Sequence, residues 1–240
     1  MNTPVSTVKA NNPVYTMMIL IGVCHLINDT MQSVIPAMFP LLERDMGLTY
    51  TQLGLISFTL NMFASVLQPV VGAVTDKKPM PFALPIGMVS SFIGLTMLIL
   101  APNYPLILVS VLFLGLGSAV FHPEGSRVSF MAAGNKRGLA QSIYQVGGNS
   151  GQALAPLISA FLILPFGMYG ASLVLILTAI GIFMLTKIAI WYRKQLEEEK
   201  SRAEEIDELE EYVGTDEYIE DVAKDKLGLV YPNEILFEAE

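Results

Sequence analysis

His25, Asn28, Asp29 and Gln32 follow an i, i+3, i+4, i+7 spacing inside an apolar run. That spacing puts all four on one face of a helix. A carboxylate in apolar surroundings can exist neutral as well as charged, so Asp29 is a candidate proton carrier. His25 stands one turn earlier and can share that proton. A static His–Asp hydrogen bond that only holds the helix is the competing reading. A second apolar run carries His122, Glu124 and Arg127. His122 and Glu124 join Asp29 and His25 as proton-coupling candidates. Glu124 and Arg127, spaced i, i+3, also suit a structural salt bridge. Arg127 free of that bridge would be an anion-binding fork.

Amides extend the pattern. Ser57, Asn61, Ser65 and Gln68 form one stripe; Gln141, Gln145, Gly148, Asn149 and Gln152 form another. Polar groups in apolar helices face a cavity or glue helices together. The stripes make Asn28, Gln32, Asn61, Gln141, Gln145 and Asn149, with Arg127, the candidate substrate contacts. Gly147, Gly148 and Gly151 permit close helix packing, and Pro156 predicts a kink. The sequence shows no nucleophile–base pair, phosphate loop or metal-ligand spacing. No enzyme activity, cofactor or metal is expected. Cys24, the one cysteine, reads as a buried, inert thiol.

These stripes need long apolar helices to carry them. The 240-residue chain is 52% apolar and 15% charged, against roughly 25% charged in soluble domains. Residues 1–192 hold 8 Lys+Arg against 5 Asp+Glu, and residues 193–240 hold 6 against 17, net charges of +3 and −11. A lipid-solvated body followed by an acidic tail excludes a soluble enzyme and a nucleic-acid binder with a basic face. A span needs about 20 apolar residues. The stretches 14–42, 50–75, 82–101, 105–132, 138–164 and 168–192 meet that length, and turn or charge signals separate them. The polar segment 1–13 shows no signal peptide, because the apolar run after it is too long for one. Eight cations (Lys9, Lys77, Lys78, Arg127, Lys136, Arg137, Arg193, Lys194) fall on one side of six spans and only Arg44 on the other. The termini should therefore both be cytoplasmic.

Spans 1, 2, 4 and 5 carry the stripes. Spans 3 and 6 carry isolated Ser and Thr, which can bond their own i−4 carbonyls. Two polar helices and one apolar, repeated once, predict two inverted three-helix repeats with a site at their interface. The expected fold is thus an all-α integral membrane protein. Residues 14–192 make six transmembrane helices, followed by a cytoplasmic acidic helical linker at 193–213 and a C-terminal block at 214–240.

Gly72-Ala73-Val74-Thr75-Asp76-Lys77-Lys78, between spans 2 and 3, resembles the cytoplasmic loop motif of the major facilitator superfamily. By that resemblance Gly72, Asp76, Lys77 and Lys78 form a conformational loop, with Asp76 and Lys77 as a latch. The stretch Gly115–Leu157, with Gln68–Met88, is similar to the fosmidomycin-resistance branch of that superfamily over about residues 14–196. The resemblance implies proton-driven export of a small phosphonate from the bacterial inner membrane, with Arg127 suited to the phosphonate. It also implies twelve spans in two halves, of which this chain has one, the N-terminal. Either two copies pair, a second half is supplied, or transport is lost. The tail, about 197–237, resembles the septum formation initiator (DivIC-type) family. That resemblance implies a short coiled coil and cell-division partners, with Gly228 as a helix cap and Val230–Phe237 as an extended segment. That family carries its block outside the cytoplasm, whereas the charge count puts this tail inside.

Overall fold

The computed structural model describes residues 12–227. Residues 1–11, the cap expected at Gly228 and the extended segment expected at Val230–Phe237 lie outside them. The chain divides into two compact units, Met1–Tyr192 and Arg193–Glu240, and every element among the described residues is helical.

The first expected span is broken in two. Helix α1 (Tyr15–Ala37) ends at Met38, and α2 (Phe39–Met46) follows at once. Pro36 and Pro40 flank the break; each lacks an N–H for the helical ladder. Gly47, at φ 64°, ends α2 in the left-handed conformation that favours glycine. Helix α3 (Tyr50–Lys77) opens with a capping box: Gln52 N donates to Thr49 Oγ1 at 3.3 Å, and Thr49 N to Gln52 Oε1 at 2.9 Å. After α4 (Ala83–Ile99), Asn103 caps α5 (Tyr104–Ala132) by accepting from Leu106 N at 3.1 Å. Helix α6 (Arg137–Ile158) contains Pro156 and runs into a π-helical turn at Ser159–Ile163. The expected kink takes that form. A short α7 (Leu164–Phe166) and a 3₁₀ turn at Gly167–Ala171 lead to α8 (Ser172–Val213).

Glycine decides which helices meet. A Cβ on Gly147 would stand 2.1 Å from the Gly22 carbonyl oxygen, and one on Gly151 2.2 Å from that of Leu26. α1 and α6 therefore touch backbone to backbone. The same holds for α4 on α5, where a Cβ on Gly117 would lie 2.4 Å from Gly87 O. Gly115 brings α5 against Leu60 of α3. Residues 172–192 of α8 lie on α1, where the Thr178 hydroxyl reaches Met31 Sδ at 2.9 Å and buried Cys24 points its thiol at Gly181 O. The hydroxyls of the apolar helices only partly stay within their own helix: Thr96 bonds Phe92 O and Thr186 bonds Ile182 O, but Thr178 bonds both Val174 O and Met31, and Ser90 of α4 donates to Phe113 O of α5 at 2.9 Å.

Four helical runs are long and apolar enough to cross a membrane: Tyr15–Ala37, Tyr50–Lys77, Tyr104–Ala132 and Arg137–Val213; Ala83–Ile99 is apolar but shorter. Ile86, Phe161, Ile176 and Phe183 stand exposed on the outside. So broad an apolar surface suits lipid rather than water. The first unit is that of a multi-pass membrane protein.

In the second unit, Thr215 Oγ1 accepts from Tyr218 N at 3.2 Å and caps α9 (Asp216–Leu227). Tyr212 donates to Asp221, and its ring meets that of Tyr218 edge-on. The helix expected to Val213 is present, and Ile206, Leu209 and Val213 are exposed on it.

Candidate functional site

Helices α1, α5 and α6 converge on Asp29. His25, Asn28 and Asp29 are all buried, at 3%, 1% and 4% exposure. Their spacing turns them toward α6, where Gly148 leaves room: a Cβ there would lie 2.6 Å from His25 Cε1. Asp29 accepts from Asn28 Nδ2 at 3.1 Å and from Gln152 Nε2 at 2.8 Å. His25 Nε2 stands 3.4 Å from Asp29 Oδ1, and His122 Nε2 3.9 Å from the same oxygen. His25 and Asp29 are thus joined by His122 in a three-residue cluster. His25 Nδ1 lies 2.7 Å from the Tyr144 carbonyl oxygen. A carbonyl only accepts, so Nδ1 carries the hydrogen. The His25 ring stacks on Tyr144, centroids 4.0 Å apart, and meets His122 edge-on.

Asp29 and His122 form part of the wall of a cavity of about 300 Å³, which Gln32, Ser57, Asn61 and Gln152 also line. The wall is polar on α1, α3 and α6, as the stripes predict. His122 also borders a wider hollow with Gln68, Gly72 and Asp76. The ligand-type atoms of His25, Asp29 and His122 all lie within 4.8 Å of one another. The sequence shows no metal-ligand spacing, because residues 25 and 122 meet only in the fold.

A second cluster lies apart from the cavity wall. Arg127 donates to Thr75 O at 2.6 Å and to Asp76, stands 3.3 Å from Glu124 Oε1, and bonds Tyr192. The Glu124–Arg127 pair forms as its spacing predicts. Glu124 is fully buried, and neither of its oxygens gains a well-directed hydrogen bond. Asp76 of the expected latch pairs with Arg127 of α5, and the Arg127 guanidinium is engaged in tying α3 to α5. Lys77 and Lys78 are exposed at the end of α3, and Gly72 faces Pro123 loosely.

The remaining amides divide. Gln141 donates to Ser126 Oγ at 3.1 Å and joins α6 to α5, away from the cavity. Asn61 donates to Ser57 O one turn back, and Gln145 to Asn149 Oδ1, both on exposed faces. Gln152 and Tyr144 belong to the site although neither stands among the candidates read from the sequence. Gln152 continues the α6 stripe, so the signal was there; Tyr144 acts through its backbone carbonyl, which no residue type announces.

The profile of the Major Facilitator Superfamily matches residues 21–232. The chain is 58% identical over 188 residues to an uncharacterized MFS-type transporter, YfnC, of Bacillus subtilis (strain 168), covering 78% of this chain and 46% of that one. It is 45% identical over 190 residues to the fosmidomycin resistance protein of Escherichia coli (strain K12), covering 79% and 47%. The chain thus spans about half the length of these curated relatives. Its fold is similar to a bacterial homolog of the human lysosomal transporter Spinster in inward-facing states, both unoccupied (TM-score 0.63, 15% identity, 73% of this chain and 42% of that one) and occupied (0.64, 17%, 75% and 44%). The superfamily match runs well into the acidic tail, and neither a septum-forming role nor a coiled coil finds support. Helices, glycine contacts and sequence agree: this chain belongs to the major facilitator superfamily, a family of transporters rather than enzymes.

Proposed function

We propose that the chain is the N-terminal half of a proton-coupled exporter of small phosphonates of the fosmidomycin type. Its spans are α1 with α2, α3, α4, α5, α6 and residues 172–192, with both termini in the cytoplasm of a bacterial inner membrane. The observation that carries the reading is the buried Asp29, on the wall of a polar cavity and backed by His25. The identity to the fosmidomycin resistance protein supports the substrate class.

The packing supports the inverted repeat. If α1, α3 and α4 repeat as α5, α6 and α8, then α1 on α6 and α5 on α3 are one pairing made twice. So are α4 on α5 and α8 on α1. The cavity wall draws on α1, α3, α5 and α6, and the second half would close it. Alternating access rocks one half against the other, so export requires a second six-helix half or a second copy. A proton on the cluster changes its net charge by one. That change biases which side the paired halves open to, because a bound ligand shifts a conformational equilibrium only by its unequal affinity for the two states.

The test expresses the chain, alone and with the C-terminal half of the Escherichia coli relative, in a fosmidomycin-sensitive strain. The expected result is resistance with the second half, abolished by Asp29→Asn. Sensitivity in every combination at normal membrane levels overturns the reading, and so does resistance that Asp29→Asn leaves intact.

A further inference from the structure

We propose that His25, Asp29 and His122 form a binding site for a divalent transition-metal ion of the zinc, cobalt or nickel class, with a remaining coordination position open to the cavity. The chain has two histidines in 240 residues, and α1 and α5 bring both to one carboxylate. The orientation of His25 is the first argument. With Nδ1–H given to Tyr144 O, a neutral ring turns the Nε2 lone pair inward. Nε2 is fully buried, has no hydrogen-bond partner, and stands 3.4 Å from Asp29 Oδ1. Two lone pairs facing each other suit a cation between them, a place that a proton fills with these two groups alone and a metal ion fills with His122 as a third ligand.

The spacing fits an ion. Nitrogen and oxygen ligands at about 2.0–2.1 Å from a tetrahedral centre stand about 3.4 Å apart. The His25–Asp29 separation already has that value. The 3.9 Å gap to His122 closes with a small turn of a ring that is 30% exposed. The supporting bonds also fit. A ligating histidine usually gives its other N–H to a carbonyl or carboxylate, and ligating carboxylates are themselves hydrogen-bonded. Tyr144 O holds His25, and Gln152 with Asn28 holds Asp29. Two imidazoles with one carboxylate favour zinc-like ions over magnesium or calcium, which prefer oxygen. Two neutral histidines and one carboxylate leave the ion with a net positive charge, so the open position favours an anionic oxygen. Cys24 takes no part, since its thiol points to Gly181.

Binding needs no transport, so its test stands or fails separately from export. The full chain, purified without a histidine tag, is titrated with Co²⁺ and followed by visible absorption. The expected spectrum has the strong bands of four- or five-coordinate Co²⁺ without thiolate charge transfer. Zn²⁺ should bleach it and Mg²⁺ at the same concentration should not. His122→Ala and Asp29→Asn should abolish the bands in protein whose melting temperature shows it folded, while Asp45→Asn keeps them. Gln152→Ala should weaken Co²⁺ about 10- to 100-fold. Weak six-coordinate bands alone, or strong bands that survive both His122→Ala and Asp29→Asn, overturn the proposal and assign the ion to other carboxylates. If either of those variants fails to fold, protection of His25 and His122 from diethyl pyrocarbonate by Zn²⁺ in the unaltered chain decides. Unprotected histidines overturn the proposal.

Discussion

Gly148 and Arg127 show how single residues hold the two polar clusters apart. A methyl group at position 148 would meet His25 Cε1 at 2.6 Å and Asp29 Oδ2 at 3.0 Å. Gly148→Ala should therefore displace the ring and destabilise the unit by about 1–3 kcal/mol, as overpacking does. Gly138→Ala, where a Cβ meets nothing within 4 Å, should be silent. Melting of the two variants in detergent checks this; equal melting points would contradict it. Arg127→Ala leaves Glu124, 1% exposed, without its ionic partner. Removing one partner of a buried pair costs about 3–5 kcal/mol. Adding Glu124→Gln should recover much of the loss, and a double-mutant cycle with no coupling would rule the pairing out. At this scale Asp29 with His25 and Glu124 with Arg127 are legible in the sequence, because each is a short-range spacing. Arg127 with Asp76 and His25 with His122 are not, because those pairs depend on which helices adjoin.

Helices were more legible than their breaks. Length and apolarity located α3, α4 and α5 to within two residues at each end, while α6 stops at Ile158, six residues short of its expected end; Gly147 and Gly151 signalled close packing but not that its partner is α1. The break at Met38 was missed because an apolar run with Pro36 and Pro40 reads equally as one kinked span. The α1–α6 contact leaves no room for a side chain. Gly147→Ala should thus lower the melting temperature more than Gly148→Ala, since its Cβ strikes backbone at 2.1 Å rather than a movable ring. In the tail, the hydrogen bond to the Asp221 carboxylate holds the Tyr212 phenol protonated, pushing its pKa from 10.0 up to about 12. That contact persists below the ordinary phenol value and is lost as pH rises through about 12. Asp221→Asn should return Tyr212 to the ordinary range. Alkaline difference spectra against Tyr212→Phe measure it, and an unchanged titration would show that the bond does not form in solution.

At the scale of the whole molecule, the proposed second half should cover the face of the first unit that carries the exposed amides. The polar residues carried by α1, α3, α5 and α6 include Asp29, Asn61, Glu124 and Gln145. The structure divides them: 61 and 145 are exposed, 29 and 124 buried. In a cysteine-free background, cysteines at 61 and 145 should react with a water-soluble maleimide in the lone chain. They should be shielded when a second half is co-expressed. Labelling that ignores the second half would mean the halves join elsewhere. A reporter fused after Glu240 should read from the cytoplasm, since the cations beside the spans outweigh an acidic tail in setting orientation.

The exposed amides Asn61, Gln145 and Asn149 have a consequence for the life of the protein in a cell. In the proposed assembly these side chains lie on the face meant for a second half, and polar groups without partners in a membrane are costly. An unpaired copy should therefore be removed faster than a paired one. Supply of the second half would then set how much of this chain accumulates. A pulse-chase measurement of its turnover, with and without that half, would report assembly before any substrate is added.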